Sequence, residues 1–117
     1  MNDPPRRPHN RLLLALPSGD LQRLMPDLEP IPCEREQVLL DADSSLDAVF
    51  FPDKGVVSVV AVYDDGGIIE MATIGREGCT GFQAAFDAKR SSVRFLVQVP
   101  GSARKMSRAT FMWAIAP

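Results

Sequence analysis

The spacing of apolar residues changes once along the chain, and the change separates helical from extended structure. From Asn10 the run NRLLLAL reads as a short helix, with Asn10 placed to cap it and Pro17 to stop it. Ser18 can cap a second helix, in which Leu21, Leu24, Met25 and Leu28 recur at the i, i+3, i+4, i+7 spacing of one buried face and Pro26 ends the regular part. Beyond Glu29 the segments PIPCE, EQVLL, DAVFFP, GVVSVVAVY, IIEMATI, SVRFLVQVP and SARKM are short, β-branched or aromatic, and separated by turn formers, so they read as strands. In SVRFLVQV, Val93, Phe95, Val97 and Val99 share one face while Arg94 and Gln98 take the other. Val56 to Tyr63 is apolar on both faces, as in the middle of a sandwich, and Asp64-Asp65-Gly66-Gly67 forms a tight hairpin that pairs it antiparallel with the strand from Ile68. Ser107 to Ile115 returns to helix, with Ser107 as cap and Phe111, Met112 and Ile115 as a buried stripe. The predicted fold is mainly β: a sandwich or β-roll with short helices at its N-terminal end and one at its C-terminal end.

Composition narrows the function classes. With 117 residues, 45% hydrophobic and 24% charged, the chain makes one globular domain. Residues 1–9, with three prolines and two adjacent arginines, read as a disordered tail, and 10–117 as the folded domain. A net charge of -2 gives the domain as a whole no electrostatic reason to seek nucleic acid. No run approaches the ~18 apolar residues of a membrane span, and the first ten residues lack the apolar core of a signal peptide, so a cytoplasmic location fits. Cys33 and Cys79 are too far apart in sequence to form a C-x-x-C pair. Cys33, alternating with Ile31, reads as core, and Cys79 as a packing residue rather than a redox sensor. The lone His9 precludes Ser-His-Asp, Cys-His and clustered-histidine metal chemistry, so no enzyme is expected. Asp41, Asp43 and Asp47 lack the spacing of a calcium loop and read as solvated turn carboxylates; no metal is predicted.

The densest backbone signal is Ile74-Gly75-Arg76-Glu77-Gly78-Cys79-Thr80-Gly81-Phe82, three glycines at every third position before a possible short helix from Phe82 to Phe86. Such a loop can point successive amides at a phosphate or carboxylate, with Arg76 and Arg90 completing the site. Glycines at this density also serve the sharp corners of a β-roll with no ligand involved, and the spacing alone leaves both readings open.

Taken in order, the two helices, EQVLLDADSSLDAVFFPDKGVVSVV, the DDGG hairpin, IGREGCTGFQAAF and RSSVRFLVQVPG resemble the sensor domains of the Crp/Fnr superfamily of bacterial transcription regulators. The match is most specific where Val49-Phe50-Phe51-Pro52 leads to Gly55-Val56-Val57-Ser58 and where Ile74 to Gly81 reads I-G-x-E-G-x-x-G. The resemblance implies an eight-stranded, cyclic-nucleotide-binding-domain-like jelly roll, or double-stranded β-helix. In it a phosphate-binding cassette, a loop plus short helix, receives the effector. Carried onto this chain, the ligand-binding residues are Gly75, Gly78, Cys79, Thr80, Gly81, Phe82, Arg90 and Ser91. The implied ligand is a cyclic nucleotide or another small anion, and no further cofactor is expected.

Two departures bear on the ligand. Cyclic-AMP-binding relatives carry a glutamate after the second cassette glycine, where its carboxylate accepts from a ribose hydroxyl; here Phe82 stands there. Arg90-Ser91 matches the pair that holds the cyclic phosphate, across a shorter intervening segment. Two cysteines cannot supply an iron–sulfur cluster, and His9 is a poor haem ligand. The expected partners are a small effector and, in a full-length regulator, a second subunit through the C-terminal helix; DNA would be read by a helix-turn-helix domain absent from these residues. The expected function is effector sensing, with a ligand-free dimerisation or interaction module as the alternative.

Overall fold

The structure, a computed structural model, describes residues 7–116; residues 1–6 of the expected tail lie outside them. Three α-helices, α1 (Arg11–Leu14), α2 (Ser18–Leu24) and α3 (Arg108–Ile115), frame five strands: β1 (Glu29–Cys33), β2 (Val38–Leu40), β3 (Ala48–Val62), β4 (Ile68–Ile74) and β5 (Arg94–Ser107). All pairing is antiparallel, in the order β1-β5-β3-β4, with β2 against β5 off that path. This is the β-roll that the pattern predicts and the jelly-roll fold that the resemblance implies.

The seven predicted strand segments become five because the corners are made by bulges rather than breaks. DAVFFP and GVVSVVAVY run together as β3, and SVRFLVQVP and SARKM as β5, with the β3–β5 register slipping at Pro52/Lys54, Lys54/Val56 and Val56/Val57. Gly55, at φ 89°, supplies the left-handed residue of that corner, and Gly101 lets β5 pass against the Lys54 carbonyl. Pairing therefore continues while the sheet rolls: β1 joins the second half of β5, Gly101 to Lys105, and β2 the first half, Phe95 and Leu96. The corner also corrects the predicted alternation. Val93, Phe95 and Val97 are buried, but Val99, which lies at the bulge, is 48% exposed.

One face of the β3–β5 pair carries Val49, Phe51 and Met106 against Leu13, Leu24, Leu28 and Phe111 of the helical layer, with Ala84 closing the cluster. The other face packs Cys33, Val97 and Ala103 in one cluster and Val57, Val93 and Phe95 in another. The helix-face residues Leu21, Leu24, Met25 and Leu28 all belong to or pack on the first cluster, and a 3-10 turn over Met25–Asp27 follows α2 at Pro26. Asn10 caps α1, its Oδ1 accepting from the Leu12 and Leu13 amides. Ser107 caps α3, accepting from the Thr110 amide. Ser18 is not a cap: Pro17 precedes the helix and Ser18 is already its first residue. Ile115 is exposed because α3 has only its Phe111 side against the roll. The hairpin forms as expected, Tyr63 N–H donating to Gly67 C=O at 2.8 Å.

A methyl group at Gly101 would lie 2.8 Å from the Gly55 nitrogen and closer still to the Lys54 carbonyl, all backbone with nowhere to move. Gly101→Ala is expected to cost roughly 3 kcal/mol in a urea unfolding series. Gly19→Ala, with nothing within 4 Å of the added carbon, is expected to stay within about 0.5 kcal/mol of the parent.

Candidate functional site

The glycine loop leaves the end of β4 and closes largely on itself. Gly75 N–H donates to Glu77 Oε1 at 3.0 Å and Gly78 N–H to the Gly75 carbonyl at 3.2 Å. Thr80 N–H donates to the Phe50 carbonyl at 2.9 Å, while Thr80 Oγ1 accepts from Phe50 N–H. The amides of Gly75, Gly78 and Thr80, named from sequence as anion donors, are therefore already used within the protein. The Gly75 amide beside it, then its own amide, holds the Glu77 carboxyl below the usual carboxylate range, with the charges of Arg11 and Arg76 adding less. Arg76 contributes its carbonyl, which accepts from the Arg11 amide.

The loop ends at Gly81, buried and left-handed at φ 79°, where an added Cβ would lie 3.1 Å from the Ala48 carbonyl. A 3-10 helix over Phe82–Phe86 follows, as the sequence predicts for that segment. No backbone acceptor among the described residues takes the amides of Gly81, Phe82 or Gln83, and Gln83 Oε1 is buried without a hydrogen-bond partner. Phe82, expected to fill the place of the missing glutamate inside the pocket, instead turns outward. It is 52% exposed and stacks edge-on with exposed Phe86, centroids 6.4 Å apart.

Lys89 to Ser91 lie along the same 43–48 segment on which Gly81 rests. Leu46 N–H donates to the Lys89 carbonyl, Ser91 N–H to that of Ser44, and Asp43 N–H to that of Ser91. Arg90, exposed, is steadied by one hydrogen bond from Nη1 to the Asp43 carbonyl at 2.7 Å. Ser91 is buried and its hydroxyl donates to the Val93 carbonyl at 2.6 Å. Cys79 is half-buried against the helical layer, and burial raises its thiol pKa. Cys33 is raised to about 11 by burial and by the nearby charge of Asp53, which leaves it almost wholly protonated near neutral pH. Asp41 serves as partner to Arg94 at 2.8 Å, which with the Ala42 amide lowers its pKa.

The strongest polar constellation was not legible as a site. Asp53 is buried, and its two oxygens accept from the His9 amide at 2.8 Å, the Asn10 amide at 3.2 Å and Arg104 Nε at 3.1 Å. Asn10, itself fully buried, donates from Nδ2 to the carbonyls of Pro52 and Gly78, each at 2.8 Å. Pro8 is buried beside it, so chain order begins within the segment assigned to the tail. Asp53 in FPDKG has the look of a turn residue, and only the helix-capping signal at Asn10 marked any part of this cluster.

Two openings flank the roll. An apolar groove of about 720 Å³ runs between α1, α2 and α3, with Leu12, Leu16, Phe51, Phe111, Trp113 and Ile115 among its walls. A cleft of about 510 Å³ opens between β1, β2 and the β3–β5 pair. Neither is lined by the glycine loop, the 3-10 helix at 82–86 or Arg90.

No family model and no curated protein matches the chain by sequence. Solved structures do match it in fold. The regulatory subunit of a cAMP-independent protein kinase A from Trypanosoma brucei, a variant with cAMP in its A site, superposes with a TM-score of 0.80 at 16% identity. That alignment covers 91% of this chain and 39% of the subunit. The sensor domain of the transcriptional regulator DNR from Pseudomonas aeruginosa gives 0.78 at 13% identity, covering 89% of this chain and 70% of that one. The N-terminal domain of a transcriptional regulator from Streptomyces coelicolor A3(2) gives 0.75 at 16%, covering 91% and 74%. The fold is thus that of cyclic-nucleotide-binding domains, as found in sensor domains of transcription regulators, and the chain spans well under half the length of the kinase subunit.

Removing the Asp53 carboxylate takes one buried acceptor from the Arg104 guanidinium and from the His9 and Asn10 amides. Asp53→Ala is expected to destabilise the fold by roughly 3–5 kcal/mol in chemical denaturation. The loop latch has a pH signature of definite sign. Because the folded-state pKa of Glu77 is depressed, its contribution is complete above the ordinary carboxylate value and is lost as pH falls through the depressed one. Hydrogen exchange at the Gly75 amide, protected at about pH 6 once intrinsic rates are divided out, should lose that protection on acidification and in Glu77→Ala, which has no acceptor, at every pH.

Proposed function

We propose that the chain is the ligand-sensing regulatory domain of a Crp/Fnr-type transcription regulator, taking a small anion at a degenerate phosphate-binding cassette. The observation that carries this reading is the set of hydrogen-bonding groups the cassette keeps unused. The amides of Gly81, Phe82 and Gln83, and the buried Gln83 Oε1, have no partner among the described residues, while Gly81 and Arg90-Ser91 lean on one 43–48 wall. Buried polar groups are nearly always paired, so the buried, unpaired Gln83 Oε1, beside amides that no backbone acceptor takes, supports a ligand in a domain of this fold. The resemblance to Crp/Fnr sensors and the sensor-domain fold support the same reading. The working part of the site is then Gly81, Phe82, Gln83 and Arg90, with Gly75, Gly78, Cys79, Thr80 and Ser91 shaping it. Ligand binding would act on the orientation of α3 and so on a dimer of the longer regulator, whose DNA contacts come from another domain.

The alternative, an interaction module without effector, draws support from the helical groove. Trp113 is 69% exposed there, with Leu12 and Ile115 also exposed on its rim.

A thermal-shift screen of the chain with cyclic nucleotides, 2-oxo acids and inorganic phosphate separates the two. At a hundredfold excess over Kd an effector adds about 2.7 kcal/mol of apparent stability, and Arg90→Ala should abolish the shift. If no anion stabilises the chain while light scattering shows a dimer, the interaction reading replaces the sensing one.

A further inference from the structure

The cleft between the two halves of the roll has a lining that the cassette does not explain. β1 follows the second half of β5 and β2 the first, so the sheet parts between them and leaves the opening of about 510 Å³. Phe50 and Lys105 are direct cross-strand partners, and both face the cleft together with Val38 and Leu39 of β2. Phe50 is buried, so its ring forms an apolar floor, and Val38 is exposed at 44%, an apolar side chain left open to water at the rim. Glu34, in the turn between β1 and β2, also lines the opening.

Lys105 and Glu34 both line this cleft, yet neither joins an ion pair among the described residues, with each other or with any third group. Glu29 stands opposite Lys105 in register and does not reach ion-pair distance. No hydrogen bond from either side chain is present among the described residues; Glu34 bonds only through its backbone, its amide donating to Gln37 Oε1 at 2.8 Å and its carbonyl accepting from the Gln37 amide at 3.1 Å. A cleft in the size range of small-molecule sites, with an aromatic and aliphatic wall, one unpaired cation and one unpaired anion, is complementary to a small amphipathic zwitterion. Its carboxylate would meet Lys105, its ammonium Glu34, and its apolar side chain the Phe50, Val38 and Leu39 surface.

We propose that this cleft binds an apolar α-amino acid, at a site separate from the cassette and lined by Lys105, Glu34, Phe50, Val38 and Leu39. The proposal does not depend on the cassette holding an anion, and the residues involved are different.

Titration of the ¹⁵N-labelled chain with L-phenylalanine tests it. The amides of Val38, Leu39 and Phe50 should shift in a saturable way, while those of Gly75 to Phe86 stay in place. 3-Phenylpropionate, lacking the ammonium, and phenethylamine, lacking the carboxylate, should each bind at least tenfold more weakly. Lys105→Met and Glu34→Gln, both substitutions of exposed residues, should remove the shifts while leaving the rest of the spectrum unchanged. Arg90→Ala should leave them intact. The proposal is overturned if L-phenylalanine moves nothing at millimolar concentration, if the two analogues bind as well as the zwitterion, or if the shifts survive Lys105→Met. Shifts confined to the cassette would also overturn it, and would leave the sensing reading standing.

Discussion

A carboxylate with no access to water must have its charge met by the protein, and Asp53 is such a carboxylate. Its environment provides two backbone amides and a guanidinium, which is close to what a buried carboxylate requires. Two of those three donors belong to His9 and Asn10, so the N-terminal segment cannot leave the roll without exposing the charge to an unpaired interior. The constraint extends one step further through Asn10, whose side chain caps α1 at one end and holds the Pro52 and Gly78 carbonyls at the other. Strand β3, helix α1, strand β5 and the glycine loop are thereby tied at one point.

That tie gives the glycine loop a different role from the one its composition suggests. The loop's carbonyls, at Arg76 and Gly78, face the N-terminal segment and are taken by it, while its amides at Gly75 and Gly78 fold back onto Glu77 and Gly75. The glycines here permit a compact turn that plugs into the helical layer, and the unused donors begin only where that turn ends, at Gly81. A ligand at the cassette and the helices on the far side of β3 are consequently joined through few bonds: Gly81 to the loop, the loop to Asn10, and Asn10 to α1, which with α3 borders the apolar groove. Displacing the loop would have to break or carry along the Asn10 contacts, so any movement would be felt at α1 first.

The fold was largely readable because it rests on local periodicities. The helix face from Leu21 to Leu28, the β3–β4 hairpin at Asp64 to Gly67, and the caps at Asn10 and Ser107 all depend on residues close in sequence, and all are found. The bends were not readable, since a bulge leaves the alternation intact on each side and changes only which residues face each other; Val99 is the casualty of that slip. At the site, sequence order located the 3-10 helix after Gly81 and the Arg90-Ser91 pair. It could not tell which amides were free, because the Gly75 amide is taken by a carboxylate that folds back within the loop and the Thr80 amide by the Phe50 carbonyl from a distant strand. Asp53 and Arg104 escaped notice for the same reason: 51 residues separate them, and neither sits in a pattern that marks burial.

Why Phe82 points outward follows from the same geometry, and it bears on what the cassette can recognise. Gly81 is wedged against Ala48 and Leu46, and Ala84 is the helix residue that fills the helical layer. On a 3-10 turn, residues three apart share a face, so with Ala84 inward Phe82 and Phe86 fall on other faces and meet each other in solvent. A side chain at position 82 therefore reaches the surface beside the cassette rather than its interior, whatever its chemistry. In this arrangement the buried acceptor of the cassette is Gln83 Oε1, an amide oxygen with no charge. On the sensing reading proposed above, a neutral acceptor beside backbone donors would favour a ligand that combines an anionic group with a hydroxyl or amino donor, and would discriminate less by charge than a carboxylate.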